Sequence, residues 1–344
     1  MKSIYLQKFF KERNIRLSTQ KGYESALNKY ILYHNLPLDE LVSEAIEDEK
    51  NIISLKERKL KKRLIDFRSF LLKSDISNTT SKTYFSNVKS FYRHFEIEIP
   101  YLPPTKYPKN YESNYFDIPT KDHIAQALDI VSIDFKALIL FMSSSGTAKA
   151  ETLSLTVGDF ISATSEYHNG GSLNQILNVL GEKDNVVPTF YLKRIKTDKY
   201  YYTFCSPQAS LAIVKYLKSR KNLKLNDKLF EFSNSLILAR FQEINDTLGW
   251  GFKGKYRFFR SHTLRKFHAS NIGLNVEYID ALQGRSKIEI HEAYVKTNPE
   301  KLKEIYMSAM KNVMIDFDNS DGIINQEFTI VINIFLSGKE YNIL

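Results

Sequence analysis

Tyrosine is a poor nucleophile until something stabilises its phenolate or takes its proton, so a reactive tyrosine needs a basic pocket around it. Tyr294 stands ten positions after Gly284, and Arg285 follows that glycine directly, in Leu282-Gln-Gly-Arg-Ser-Lys-Ile-Glu-Ile-His-Glu-Ala-Tyr294. Two basic clusters upstream could complete a pocket: Lys193-Arg-Ile-Lys196 and Ser261-His-Thr-Leu-Arg265. Taken alone, Ala293-Tyr294-Val295 suits a packing aromatic just as well. The chemistry therefore depends on whether distant segments are brought to one place.

The chain that must do this has 344 residues, enough for two domains that each bury a core. It is 43% hydrophobic and 26% charged with a formal net charge of +10, which favours a polyanionic partner, nucleic acid before an acidic membrane surface. Cys205 is the single cysteine, which excludes a disulfide framework and a thiolate zinc site. No stretch reaches the ~18 apolar residues of a membrane span. The opening MKSIYLQKFFKERN has no signal-peptide apolar core. These signs lead us to expect a cytoplasmic, nucleoid-associated protein without membrane, metal or cofactor.

Residues 1–99 read as a small helical bundle. Ser18 or Thr19 could cap a helix with Tyr23, Leu27, Tyr30 and Ile31 on one face, and a shorter helix follows Pro37 with Leu41, Val42 and Ile46 inward. Leu60, Leu64, Phe67 and Leu71 form the stripe of a third, whose surface carries Lys61 and Lys62. A helix opening at Asn78 repeats Tyr84, Phe85, Val88, Phe91, Tyr92 and Phe95, with Lys82, Lys89 and Arg93 on the opposite face, a mixture suited to phosphate contacts. Five of the nine prolines then fall between Pro100 and Pro119, predicting an extended linker over 100–118.

Residues 119–315 read as a second domain. Thr120 is placed to cap its first helix, and Phe135–Met142 is apolar on nearly all sides, as a buried helix would be. Ser143-Ser-Ser-Gly146 reads as a turn before a helix that holds Glu151, Leu153 and Leu155 and ends near Gly158-Asp159. Val187–Lys196 and Tyr200–Cys205 are β-rich and separated by Thr197-Asp-Lys199, a hairpin signal. Ser206-Pro207 starts another helix, and the remainder reads as mostly helical. The expected fold class is mainly α with a small β-hairpin in the second domain.

In this order the motifs resemble the tyrosine recombinase (phage integrase) family, nearest to its archaeal and mobile-element branch, over almost the full length. The resemblance implies a two-domain DNA clamp: a helical core-binding domain, a linker and a catalytic domain. Gly284, Arg285 and Tyr294 match the nucleophile motif, which implies in-line attack of Tyr294 on a scissile phosphate and a 3′-phosphotyrosine intermediate. His262-Thr-Leu-Arg265 matches His-x-x-Arg, with Arg265 preceding Tyr294 by 29 residues in the family's order. It implies that Arg265 holds the non-bridging oxygens, a task for which a guanidinium fork is suited, while His262 exchanges a proton or donates a hydrogen bond. Arg194-Ile-Lys196-Thr197 falls in the hairpin that carries the family's catalytic lysine, a general acid for the leaving 5′-oxygen. Lys196 is the first candidate, with Lys193 and Lys199 as alternatives and Arg194 as a DNA contact.

One motif departs. The family places an arginine between a Gly turn and a Glu, whereas this chain reads Ser145-Gly-Thr-Ala-Lys-Ala-Glu151. Ala148 occupies the commoner register and Lys149 the shifted one, and Lys149 is the candidate counterpart because it keeps a cation there. Lysine offers a point charge in place of a fork, and Arg285 could compensate in part.

The resemblance further implies a double-stranded DNA recombination site as partner, a homodimer per site and a tetramer in synapsis. Integration, excision and dimer resolution all fit. A catalytically impaired DNA-binding relative is the main alternative, and a relaxing topoisomerase of the same chemistry a third. The helix through Leu302, Ile305, Tyr306, Met310 and Val313 could pack in cis or on a neighbouring protomer. In the tail, 316–344, Phe328–Leu336 reads as a strand that could pair between subunits.

Overall fold

A computed structural model describes residues 3–108, 111–112, 114–285 and 298–315. It divides into two compact units, Met1–Glu112 and Ser113–Leu344. Tyr294 and the expected strand Phe328–Leu336 lie outside the described residues.

The first unit is five helices: α1 (Ile4–Arg13), α2 (Leu17–His34), α3 (Leu38–Lys50), α4 (Lys59–Lys73) and α5 (Asn78–His94). The predicted stripes form its core, with Tyr23, Leu27 and Tyr30 of α2, Leu60, Leu64, Phe67 and Leu71 of α4, and Phe85, Val88, Phe91 and Tyr92 of α5 all buried. Aromatic edges do much of the packing: Phe9 meets Phe91 at 5.3 Å between ring centroids, and Tyr30 meets Phe67 at 4.9 Å. The Tyr92 hydroxyl donates to that of Tyr30 at 3.3 Å, so neither buried phenol is left alone. Helix α5 opens at Asn78 as expected, and Ser77 caps it by accepting from the Thr80 amide. Neither Ser18 nor Thr19 caps α2. The helix starts at Leu17, because the Arg16 carbonyl already accepts from the Thr19 and Gln20 amides.

The proline-rich segment is held against this unit. Arg68 donates to the Pro103 carbonyl at 2.7 Å, Asn78 donates to that of Pro108 at 2.8 Å, and the Lys82 ammonium lies 4.8 Å from the Tyr107 ring centre.

The second unit begins with a 3-10 turn at Tyr115–Asp117, then α6 (Lys121–Asp129), capped by Thr120, and α7 (Ile133–Ser145). Helix α7 is buried on every side from Ala137 onward, and it packs against α11 (Pro207–Ser219) and α13 (Ser261–Asn271). The expected turn at Ser143–Gly146 shrinks to Gly146 alone. The Ser143 and Ser144 hydroxyls donate back to the Leu140 carbonyl and that of Ser145 to the Phe141 carbonyl, so these serines continue the helix without exposing a polar atom. Gly146 ends it at φ +66°.

The last turn of α7 leaves carbonyls that other elements take up. Ser144 O accepts from the Tyr306 hydroxyl, Ser145 O from the Thr203 hydroxyl, and Gly146 O from Arg265.

The helix expected to run from Glu151 to Gly158 is two helices, α8 (Lys149–Ser154) and α9 (Val157–Ala163). Thr156 breaks them, bridging to Lys228 and forming a reciprocal cap with Asp159. After α10 (Leu173–Gly181), strands β1 (Thr189–Lys193) and β2 (Tyr200–Phe204) pair antiparallel with Lys193 opposite Tyr200. The loop is Arg194–Lys199, longer than the predicted Thr197–Lys199, and is closed by the Arg194 amide donating to the Lys199 carbonyl at 2.7 Å and the Asp198 amide donating to that of Arg194 at 2.8 Å.

Next come α12 (Asn234–Thr247) and a short ribbon, β3 (Phe252–Lys253) with β4 (Tyr256–Arg257), which helical periodicity did not reveal. Then follow α13, α14 (Val276–Leu282) and α15 (Pro299–Ala309). Helix α15 packs on its own unit, with Leu302 and Tyr306 buried.

Candidate active site

Three distant parts of the chain meet at one cluster: the junction of α7 and α8, the β1–β2 loop, and α13 with the turn after α14. Arg265 lies at its centre, only 6% exposed. Its Nη1 donates to Gly146 O at 2.7 Å and its Nη2 to Gln283 O at 2.8 Å. Burial is the larger reason its pKa falls to about 10, and the nearby Arg194 guanidinium is the next.

Gln283 ties the turn to α13. Its Nε2 donates to the Arg265 carbonyl at 3.1 Å and to His268 Nδ1 at 3.0 Å. His268 is fully buried, and burial with the Arg265 and Arg285 charges lowers its pKa to about 3. It is therefore neutral at physiological pH and accepts at Nδ1, while its Nε2 has no hydrogen-bond partner among the described residues.

Two glycines permit this closeness. A Cβ at Gly146 would lie 2.6 Å from His268 Nδ1, and one at Gly284, where φ is +59°, would lie 2.5 Å from the Tyr201 ring.

The hairpin loop is tethered to Glu151, which is only 3% exposed. Glu151 Oε1 accepts from the Ile195 amide at 3.3 Å and lies 3.7 Å from Arg194 Nη1. The same Nη1 donates to Gln283 O at 3.4 Å, so Arg194 and Arg265 share one carbonyl. Arg194, expected to contact DNA, has its side chain mostly covered here. Lys196 sits exposed in the loop whose backbone Glu151 holds. Tyr201 is buried beneath the loop, and burial first, then Glu151, raises its pKa well above the ordinary phenol value.

Of the remaining candidates, His262, Ala148, Lys149 and Arg285 lie on the elements that form this cluster. His262 is exposed on the first turn of α13. Desolvation by its neighbours and then the charges of Arg260, Lys266, Arg265 and Arg285 lower its pKa. Arg285 is exposed and pairs with Asp280 at 3.4 Å. Ala148 is the N-cap of α8 and offers no capping side chain, and Lys149 is its first, half-covered residue. Tyr294 follows nine residues after Arg285 in sequence, outside the described residues.

Lys61, Lys62, Lys82, Lys89 and Arg93 belong to the first unit, on α4 and α5. Lys62, Lys82 and Arg93 are exposed and Lys61 and Lys89 half-covered. The Lys89 ammonium stands 5.0 Å from the Phe85 ring centre, and partial burial followed by Arg93 and Arg68 lowers its pKa.

Sequence reading did not assign Gln283, His268 or Tyr201 a place in the site. For Arg194 a signal existed. Phe190 and Leu192 point inward and Tyr191 and Lys193 outward, so the strand's two-residue period carried one step further turns Arg194 in.

No protein-family model matches the chain, and no curated protein matches it. Solved structures do. A lambda integrase fragment (residues 75–356), crystallised as a dimer on a COC′ core site, is similar with a TM-score of 0.52 and 14% identity, covering 84% of this chain and 93% of that one. A lambda integrase tetramer on a Holliday junction has a TM-score of 0.50 and 15% identity, covering 85% of this chain and 75% of that one. Mainly helical, with two small two-stranded sheets among the described residues and a cluster built where α7, α8, the hairpin, α13 and α14 converge, this chain has the tyrosine recombinase fold.

Proposed function

We propose that the protein is a site-specific DNA recombinase that cuts and rejoins strands through a covalent bond to Tyr294. The observation that carries this is the convergence of Arg265 and the hairpin's Arg194 on the Gln283 carbonyl, with Glu151 holding the hairpin loop, eleven residues ahead of Tyr294 in the chain. A buried, pre-oriented guanidinium held by backbone carbonyls is suited to a phosphodiester whose charge grows in the transition state.

In the reaction, Tyr294 Oη attacks the scissile phosphorus, its proton passing to His262 or water. The P–O5′ bond breaks, Lys196 protonates the leaving 5′-oxygen, and Arg265 holds the non-bridging oxygens. A 5′-hydroxyl from another strand then reverses these steps, so the bond energy is conserved without a nucleotide cofactor. The exposed Lys62, Lys82 and Arg93, with Lys61 and Lys89, would hold duplex DNA through its phosphates. Dimers on a site and tetramers in synapsis follow from the strand-exchange chemistry.

The absence of arginine at Ala148 and Lys149 favours a second reading, a DNA-binding relative with impaired cleavage. Incubation with nicked duplexes taken from the DNA flanking its gene separates the two. The recombinase forms a denaturation-resistant protein–DNA adduct that disappears in Tyr294→Phe. An adduct that survives Tyr294→Phe removes the proposed nucleophile. No adduct from the parent, from Ala148→Arg or from Lys149→Arg leaves the binding-only reading.

A further inference from the structure

We propose that Arg194 supplies the phosphate-binding guanidinium that position 148 lacks, which makes it a catalytic residue of this chain. The inference rests on the recombinase reading above. Ala148 is the N-cap and Glu151 the third helical residue of α8, so their side chains leave one face of its first turn. An arginine at 148 would meet the Glu151 carboxylate. Here that carboxylate is already met by Arg194, reaching in from the hairpin.

Arg194 also converges with Arg265. Both donate to Gln283 O, one from a strand end and one from α13, so the two guanidinium groups flank a single point on the turn. Each has five N–H donors, and the described bonds use only some of them. Two cations face one carboxylate, leaving a net positive charge that an incoming phosphodiester would neutralise. The Tyr201 hydroxyl is buried at the same cluster without a hydrogen-bond partner among the described residues, so one further O–H donor is available there. Lys149 is one residue further round α8 and brings a single ammonium, which cannot grip two oxygens in a plane.

The proposal moves a function from one chain position to another, and a relocation can be tested by reversal. Arg194→Ala should lower adduct formation by about 10²–10³-fold, the usual effect of removing one transition-state donor, while duplex affinity stays within about threefold. Adding Ala148→Arg to Arg194→Ala should recover roughly tenfold or more of that loss, whereas Arg194→Lys should recover only part. Circular dichroism and melting temperature establish that each variant folds. If Arg194→Ala does not fold, Arg194→Lys decides, and full activity in that variant overturns the proposal.

A second readout does not need the reaction. Inorganic phosphate at constant ionic strength should raise the parent's melting temperature, and Arg194→Ala should lose most of that rise. Adduct formation by Arg194→Ala within about threefold of the parent, with Tyr294→Phe inactive, overturns the role of Arg194 and leaves the recombinase reading standing. If neither the parent nor Ala148→Arg nor Lys149→Arg forms an adduct, that reading fails instead. The phosphate site is then judged by melting alone, and a full rise in Arg194→Ala overturns it.

Discussion

The candidate DNA-contacting cations of the first unit and the central cation of the second are held in opposite ways. On α4 and α5 of Met1–Glu112 they stay near water and lean on aromatic faces, as Lys89 and Arg68 do over Phe85 and Lys82 over Tyr107. In Ser113–Leu344 the decisive cation, Arg265, is withdrawn from water and surrounded by peptide carbonyls. A solvated cation contributes long-range attraction that salt screens and that tolerates displacement. A buried one holds its direction only because the fold has already stripped its water. The first arrangement is built for affinity and the second for geometry.

The largest break in that contrast is Arg265→Ala. It leaves the Gly146 carbonyl buried without its charged donor and the Gln283 carbonyl with only the longer bond from Arg194, at a cost of about 1–3 kcal/mol. We expect adduct formation to fall below detection and the urea midpoint to drop together. A variant of unchanged stability would mean that the buried guanidinium organises nothing.

Next in size is a pH effect at His268. Its folded pKa, about 3, lies below the ordinary 6.5, so between those values the unfolded chain binds the extra proton. Stability is therefore intact above pH 6.5 and declines as pH falls, by about 3 kcal/mol at pH 4 from this residue alone. His262, His34 and His123 are shifted the same way and add to the slope. Unfolding free energies of His268→Gln from pH 7 to 4 should show a shallower decline than the parent. Parallel curves would count against a neutral buried imidazole.

The smallest effect on the fold, and the one that sharpens the contrast, is Lys82→Ala with Lys89→Ala. Thermal stability should shift by no more than about 0.5 kcal/mol, as expected for surface changes. Duplex affinity should fall and its logarithmic salt slope become shallower by about 1–2. An unchanged slope would remove these lysines from the DNA surface.

Much of this was legible because helical periodicity reports burial directly. Leu60, Leu64, Phe67 and Leu71 state their face by spacing, and so do Phe85, Val88 and Phe91. The elements of the site could be ordered from short motifs, although the motifs did not say which atoms would meet. Ser143–Ser145 looked like a turn by composition, and only the carbonyls behind them show why they remain helical. Gln283 was invisible because its carbonyl is one that every residue type carries, and its side-chain bonds to Arg265 and His268 exist only once α13 is folded against the turn. Arg194 and Lys193 are neighbours of like charge, and composition cannot divide them, whereas the parity of the strand can.

The final turn of α7 has one more consequence. Tyr306 from α15, Thr203 from β2 and Arg265 from α13 each bond a successive carbonyl there. The elements are thus measured from a common origin rather than from one another, so errors of placement do not accumulate along the chain. Changes of length between elements should be absorbed where they occur. A single residue inserted within α7 before Ser143 would rotate the origin by about 100° and misalign every element at once.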